Sequence, residues 1–204
     1  GLSMPSSILD VGNSGTTTRL ISGVLSTLNF DTTLSGDDSL NSRPMKRIID
    51  PLLKMGANIS SDNNMAPMSF HPSKLKGIEF KMNISSAQVK SCIMLAALNS
   101  SNKTYIQQPS LSRDHTEKLF KHLKLPIKVF KGKKLDLISY NGVKNYKGFN
   151  YIIPGDISSS SFFIVLALLT KNSKILIKNV NVNNSRTGII DILKKSPKVI
   201  KKLK

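Results

Sequence analysis

The stretch LDVGNSGTTTRLISGVLSTL, residues 9–28, decides the fold. It runs from a short apolar segment through a turn containing Gly12 and Gly15 into a helix whose apolar residues recur at helical spacing. Two later segments begin in the same way with small polar residues and continue as apolar runs, so helices are predicted at residues 14–28, 86–98 and 158–169. Their starts are about 72 residues apart, and this constant period predicts an internal repeat.

Each predicted helix is followed by the same further elements. A strand-like segment comes first, at residues 31–35, 103–107 and 174–178. A Ser-Arg pair then opens a second amphipathic helix, and the three pairs are Ser42 and Arg43, Ser112 and Arg113, and Ser185 and Arg186. The first two units continue into further strands within residues 57–82 and 127–153. The sequence therefore predicts an α/β (α+β) fold of repeated units, each with two helices and four or more strands.

The repeat also predicts a division into domains. Unit boundaries fall near Met82 and near Ile153, and Pro154 with Gly155 forms the predicted hinge, because proline stops a strand and glycine frees the backbone. Residues 1–153 are then most of a first domain and residues 154–204 begin a second. The third unit stops in a tail that contains six lysines and Pro197. We interpret that tail either as a cut or scrambled chain end or as a solvated terminal helix.

The composition excludes several classes of protein. With 39% hydrophobic residues among 204, the chain can form a core, and it contains no apolar run near the roughly 18–20 residues that cross a membrane. Cys92 is the only cysteine, which excludes a disulfide framework and indicates a structural thiol in a reducing compartment. We expect a cytoplasmic protein with no membrane partner, although a targeting segment ahead of Gly1 would not be observable.

The net charge of +18 could indicate a nucleic-acid partner. The lysines, however, are scattered through loops of the second half, and aromatic residues form only 6% of the chain without being interleaved in a basic run. The pattern therefore favours a function with no nucleic acid. Arginine, the better fork for phosphate and carboxylate groups, occurs only at positions 19, 43, 47, 113 and 186.

Two segments of the first unit are candidates for anion binding. The Gly-containing turn at residues 12–15 leads into a helix start, where free N–H groups and the helix dipole attract anions; the alternative is an ordinary capped helix. Arg43 precedes Pro44, which we expect at the first helical position, so its fork could point outward at a carboxylate or phosphate. The alternative there is a solvated surface arginine beside Asp37 or Asp38.

The second unit has candidates of the same kind. Ser86, Ala87 and Gln88 begin the second apolar helix, either as contacts for an oxygen-rich anion or with Ser86 as a simple N-cap. Asp114 and Glu117 have the spacing of a capping box, so His115 is interpreted as a helix-start residue and not as a catalytic base. The other histidines have no partners at metal-ligand spacing, and we predict no metal.

Five strings together resemble the signatures of the 5-enolpyruvylshikimate-3-phosphate synthases. They are DVGNSGTTTRL at 10–20, GDDSL at 36–40, RPM at 43–45, SAQVKS at 86–91 and SRDHTE at 112–117. Their order and spacing match along nearly the whole chain, from residue 9 to about residue 193. The resemblance implies two similar domains, each of three βαβαββ units in an inside-out α/β barrel, of which this chain is a fragment.

The resemblance also implies a reaction, a set of ligands and their contacts. Members of the family transfer the enolpyruvyl group of phosphoenolpyruvate to the 5-hydroxyl of shikimate 3-phosphate, with release of phosphate, no cofactor and a monomeric full-length protein. The implied phosphoenolpyruvate contacts are Gly15, Arg43 and Gln88. The implied shikimate 3-phosphate contacts are Ser86, Ala87, Gln88 and Arg113.

Other parts of the family pattern fall outside this sequence. They are a basic segment near the N-terminus and the acidic and basic residues of the second domain that transfer protons and hold phosphoenolpyruvate. We therefore identify no catalytic residue and expect this chain alone to be inactive, or a truncated product that keeps only a folded core. The related transferase acting on UDP-N-acetylglucosamine is the nearest alternative, and the strings at 43–45 and 112–115 disfavour it.

Overall fold

The structure is a computed structural model that describes residues 2–109, 112–142 and 147–195. These residues form two compact parts, divided between residues 146 and 147. The tail at 196–204, interpreted above as a chain end or a solvated helix, lies outside the described residues. No described helix is both long enough and apolar enough to cross a membrane.

The first compact part contains two sheets with the same topology. The first sheet has the strand order β1-β2-β4-β3 and the second has the order β5-β6-β8-β7. In each sheet the first pair is parallel and the other pairs are antiparallel. The strands are β1 (Leu9–Asp10), β2 (Thr32–Ser35), β3 (Asn58–Ser61), β4 (Met68–His71), β5 (Glu79–Lys81), β6 (Lys103–Pro109), β7 (Ile127–Lys131) and β8 (Leu135–Asn141).

The helices of the first compact part complete the predicted repeat. They are α1 (Gly15–Leu25), α2 (Asp38–Asn41), α3 (Lys46–Lys54), α4 (Ala87–Ala96) and α5 (His115–His122). Each sheet with its helices forms one βαβαββ unit: a helix crosses between the two parallel strands, a second helix follows, and the last two strands are an antiparallel pair joined directly. The α/β repeat is therefore confirmed for the first two units, and the second begins at β5.

The start of α3 differs from the prediction. Pro44 is not its first residue, because Arg43 and Pro44 lie between the C-cap of α2 at Ser42 and the N-cap of α3 at Met45. The Met45 N–H donates to the carbonyl of Asn64, 2.7 Å away. A tertiary bond to another loop thus satisfies the N–H at this helix entry.

The described residues of the second compact part contain the two helices predicted for the third repeat unit, α6 (Ile157–Leu169) and α7 (Gly188–Lys194). The strand predicted at 174–178 was wrong, because that segment has no strand. Only one isolated parallel bridge, Gly155 to Val180, forms nearby. A strand needs a neighbour to satisfy its backbone groups, and a single bridge does not extend one.

Helix α1 has an unusually small and polar buried face. Thr18, Ser22 and Ser26 are buried, and each hydroxyl donates to a carbonyl four residues earlier at 2.7–2.8 Å. These internal bonds satisfy the hydroxyl groups, so the face can be buried without loss of hydrogen bonds. Small side chains also allow another backbone to come close.

Helix α4 is the element that comes close to this face. A Cβ atom placed on Gly23 would lie 2.2 Å from the carbonyl oxygen of Cys92 and 3.2 Å from the backbone nitrogen of Ala96. Cys92 itself is fully buried in the core, and burial raises the pKa of its thiol to about 12. The α1–α4 crossing therefore depends on glycine at position 23, because any side chain there would overlap the α4 backbone.

We predict that Gly23→Ala destabilises the first compact part by about 1–3 kcal/mol, since the extra carbon must push α1 away from α4. Alanine is favoured over glycine in a helix by about 1 kcal/mol, so the measured loss is the net of two opposing effects. Urea unfolding would measure it. Gly188→Ala is the matched control, because its added Cβ meets nothing within 4 Å. Equal stability of wild type and Gly23→Ala would contradict the close crossing.

Candidate anion-binding site

Helices α1 and α4 are parallel and begin at the same end of the first compact part. Near their starts, Gln88 Nε2 donates to Thr16 Oγ1 at 2.8 Å. Near their ends, Asn99 Nδ2 donates to Thr27 Oγ1 at 3.2 Å. Both contacts join residues 72 positions apart, so the sequence period is also the register in which the two helices pack. The positive ends of two helix dipoles therefore lie side by side.

Both helix starts are capped by serine. The Ser14 side chain accepts from the Thr17 N–H at 3.2 Å, and the Ser86 side chain accepts from the Val89 N–H at 3.4 Å. The N-cap interpretation of Ser86 is confirmed. One serine satisfies one of the four unpaired N–H groups at a helix start, so capping is compatible with an anion at the others.

Two arginines converge at the start of α1. A Cβ atom on Gly15 would lie 3.0 Å from Arg19 Nη1 and 3.3 Å from Arg43 Nη1, so both guanidinium groups occupy the space that a side chain at Gly15 would need. Arg19 Nη1 also donates to Gln88 Oε1 at 3.1 Å. Gln88 thus joins Arg19 to Thr16 through the two ends of its amide group.

The concentration of positive charge changes the pKa of Arg19. Partial burial lowers that pKa most, and the charges of Arg43 and Arg47 lower it further. A lowered arginine pKa means that the charged form is less favoured here than in water. A bound anion would again favour the charged form of Arg19, because it would pair with several of these groups at once.

Arg43 is held in place through an amide bridge. Its Nη2 donates to Asn13 Oδ1 at 2.5 Å, and Asn13 Nδ2 donates to both carboxylate oxygens of Asp37, at 2.8 and 3.1 Å. Asp37 therefore does not pair directly with Arg43 by a hydrogen bond but fixes the orientation of the Asn13 amide. The same carboxylate caps α2 by accepting the Leu40 N–H at 2.8 Å.

These bonds lower the pKa of Asp37. The Asn13 amide is the largest cause, followed by the Leu40 N–H, and the charge of Arg43 adds to them. Since the ionised form is the one that accepts these bonds, its stabilising effect is present above the unfolded pKa of about 3.9. The effect is lost as the pH falls through the lowered folded pKa.

The free energy of unfolding of wild type falls as the pH drops below about 4, where the unfolded carboxyl begins to bind protons. We predict that Asp37→Asn shows a smaller fall over the same pH range, because it lacks this carboxyl group. Thermal unfolding at a series of pH values would measure it. Asp62→Asn, which replaces an exposed carboxylate of the β3–β4 loop, is the control. If both variants follow the same pH curve, the Asp37 bridge has no role in stability.

The second group of predicted contacts lies at the start of α4. Ser86, Ala87 and Gln88 are partly buried there, and Arg113 is exposed on the segment between β6 and α5. That segment is attached to α4 by Lys90, whose Nζ donates to Ser112 Oγ at 2.6 Å and to the Arg113 carbonyl at 2.8 Å.

The predicted capping box in this segment was wrong. Asp114 is the N-cap of α5, but its side chain makes no capping bond; its carboxylate pairs with Lys131 at 2.8 Å and Lys118 at 3.2 Å. The bond to Asp114 raises the pKa of Lys131. Glu117 is buried and pairs with Lys90 at 2.5 Å. His115 is the first residue of α5, as predicted.

The structure thus brings the predicted contacts Gly15, Arg43 and Gln88 to one end of the α1–α4 pair. The sequence interpretation missed Arg19, Asn13 and Lys90. A signal for Lys90 existed, because a lysine inside an apolar helix must find an acidic partner when it is buried. Within the described ranges, no three His, Cys, Asp or Glu side chains are grouped so that they could hold a metal ion.

The fold and this site define an α/β protein with a candidate anion-binding site between two parallel helix starts. The family model "EPSP synthase (3-phosphoshikimate 1-carboxyvinyltransferase)" matches residues 2–202. The chain belongs to this family.

Similar proteins carry the same name. The chain is 50% identical over 191 residues to the 3-phosphoshikimate 1-carboxyvinyltransferase of Staphylococcus epidermidis, covering 93% of this chain and 44% of the relative. It is 53% identical over 188 residues to that of Thermoanaerobacter sp., covering 92% and 44%. A solved structure of EPSP synthase from Acinetobacter baumannii is 42% identical with a TM-score of 0.82, over 96% of this chain and 44% of that one. The chain therefore spans less than half the length of these proteins.

Proposed function

We propose that this chain supplies the anion-binding part of an enzyme that transfers the enolpyruvyl group of phosphoenolpyruvate to the 5-hydroxyl of shikimate 3-phosphate, with release of phosphate. The observation that carries the proposal is the convergence of Arg19 and Arg43 on Gly15, beside Gln88, where two helix starts meet. Membership of the EPSP synthase family supports the choice of substrates. Both substrates are phosphorylated acids, so both present the charge that this site attracts.

The two ligands are assigned to adjacent parts of the site. Phosphoenolpyruvate lies at Gly15 and Arg43, where the Arg19 and Arg43 guanidinium groups lie close to the glycine and Asn13 holds that of Arg43. Shikimate 3-phosphate lies at Ser86, Ala87 and Arg113. Gln88 contacts both, which fits its position between the two helix starts. The assignment includes no metal or cofactor.

These residues act by binding and positioning. A site that holds both substrates near van der Waals distance removes much of the entropic barrier to their reaction, and fixed cationic groups stabilise the charge that develops on phosphate as it leaves. None of the assigned residues is a general acid or base. The proposal therefore leaves proton transfer to groups other than those assigned here.

Two further features are part of the same proposal. The full-length protein is a cytoplasmic monomer, and the domains divide at Pro154 and Gly155.

The alternatives are less well supported. The names of the similar proteins favour shikimate 3-phosphate over UDP-N-acetylglucosamine. A nucleic-acid module is disfavoured because the basic side chains at this site surround a compact turn.

We predict that the chain binds shikimate 3-phosphate and that Arg113→Ala weakens this binding about 10- to 100-fold, the effect of losing a hydrogen bond to a charged group. Arg43→Ala should weaken phosphoenolpyruvate binding to a similar extent. Calorimetric titration of each purified variant would measure both constants. Arg186→Ala, the same position of the third unit, is the matched control and should bind both ligands like wild type. The assignment fails if Arg113→Ala retains wild-type affinity.

We also predict no measurable enolpyruvyl transfer by this chain alone, because no acid or base is assigned within it. Release of inorganic phosphate from the two substrates would be followed with time, against a sample without protein. Phosphate release that exceeds this blank and is abolished by Arg43→Ala would show that the chain contains the complete catalytic machinery.

A further inference from the structure

The arginine of the Ser-Arg pair makes the same kind of contact in the first and third repeat units. Arg43 Nη2 donates to Asn13 Oδ1, next to the start of α1, and Arg186 Nη2 donates to Asp156 Oδ1, next to the start of α6, at 3.0 Å. Both contacts join residues 30 positions apart. In these two units the guanidinium group therefore turns back to the helix start of its own unit.

The second unit is different. Arg113 occupies the corresponding position after the second strand, but its side chain is exposed, and no hydrogen bond from its guanidinium group is made to the residues that the structure describes. Its backbone carbonyl is bound by Lys90 instead. In this unit a different side chain fixes the segment, and the arginine fork remains available to a ligand.

Lys90 has no counterpart in the other units. One period away the chain has Thr18, whose hydroxyl bonds to its own helix, and Phe162, which is exposed. Lys90 is completely buried, and its three ammonium hydrogens meet three acceptors: Ser112 Oγ, the Arg113 carbonyl and Glu117 Oε1. A buried ammonium group is tolerated only when it is paired and hydrogen-bonded in this way.

Neighbouring contacts fix the same segment. Ser91 and Thr116 share a hydrogen bond of 2.6 Å, and Gln108 Nε2 donates to Ser112 Oγ at 2.6 Å. Lys90 is one helical turn from Ser86, because its N–H donates to the Ser86 carbonyl at 3.1 Å. Lys90, which anchors the Arg113 backbone, therefore lies about one turn, roughly 5.4 Å along the axis, from the proposed contacts at the start of α4.

We propose that the buried Lys90–Glu117 pair is a positioning device, which holds the Arg113 backbone beside the start of α4 so that the guanidinium group is presented to the phosphate of shikimate 3-phosphate. The proposal rests on the proposed function. Lys90 touches no ligand in it and acts only through Arg113. Its expected effect is therefore selective for the ligand that Arg113 binds.

The double variant Lys90→Met/Glu117→Met tests this role. Replacing both members of a buried ion pair by apolar residues of similar volume is often neutral for stability, whereas removing one member leaves a buried charge. The double variant should unfold near the wild-type midpoint but lose the bonds to Ser112 and Arg113. Lys118→Met is the matched control, since it removes an ion pair between the exposed Lys118 side chain and Asp114 on the same segment.

Calorimetry with each ligand separates positioning from general damage. We expect the shikimate 3-phosphate Kd of the double variant to rise at least 10-fold and the phosphoenolpyruvate Kd to stay within about 2-fold of wild type, because Gly15 and Arg43 are untouched. Lys118→Met should change neither. Unchanged shikimate 3-phosphate binding by the double variant would overturn the proposal. A parallel loss of both ligands would also overturn it, since a structural role alone explains that result.

Amide hydrogen exchange over residues 112–117 gives a readout that needs no ligand. The double variant should exchange at least 10-fold faster in this segment and like wild type in α1. Wild type that binds neither ligand would contradict the proposed function, while unchanged exchange would contradict the positioning role. If the double variant does not fold, Ser112→Ala decides instead, because it keeps both charges. It should speed exchange about 3-fold and weaken only shikimate 3-phosphate binding; no change in either would overturn the proposal.

Discussion

The structure depends on the close parallel packing of α1 against α4. This packing is possible because Gly23 has no side chain and because the hydroxyl groups around it bond within α1. It places two helix starts together, each with a partial charge of about +0.5, and adds arginines beside them. Like charges at one place cost stability, which the buried core below must offset. An arrangement of this kind is typical of a site that is completed by an anion.

The repeat could be predicted from the sequence because its signals are local. Apolar periodicity and small polar helix openings predicted α1, α4 and α6 within a few residues. The implied contacts Gly15, Arg43 and Gln88 also lie together, although their roles toward ligands stay predictions. Helix starts and strand ends that depend on distant partners were harder, because no local pattern reveals such a partner.

Particular errors show the reason. The entry to α3 is set by a bond from Met45 to Asn64, and Glu117 turns to Lys90 instead of closing a capping box. Residues 174–178 have strand-like side chains, yet a strand forms only beside another strand. Lys90 could have been suspected as a buried cation, but its hold on Arg113 requires the fold. In each case a tertiary contact outweighs the local preference.

Cys92 has a consequence of its own. Its thiol is fully buried behind the α1–α4 contact, and its raised pKa, about 12, leaves almost no thiolate at neutral pH. An alkylating reagent can therefore reach it as a reactive group only when the two helices separate. Because Cys92 is the only cysteine in the chain, its alkylation rate reports how often the α1–α4 contact opens. The product is one covalent adduct per molecule.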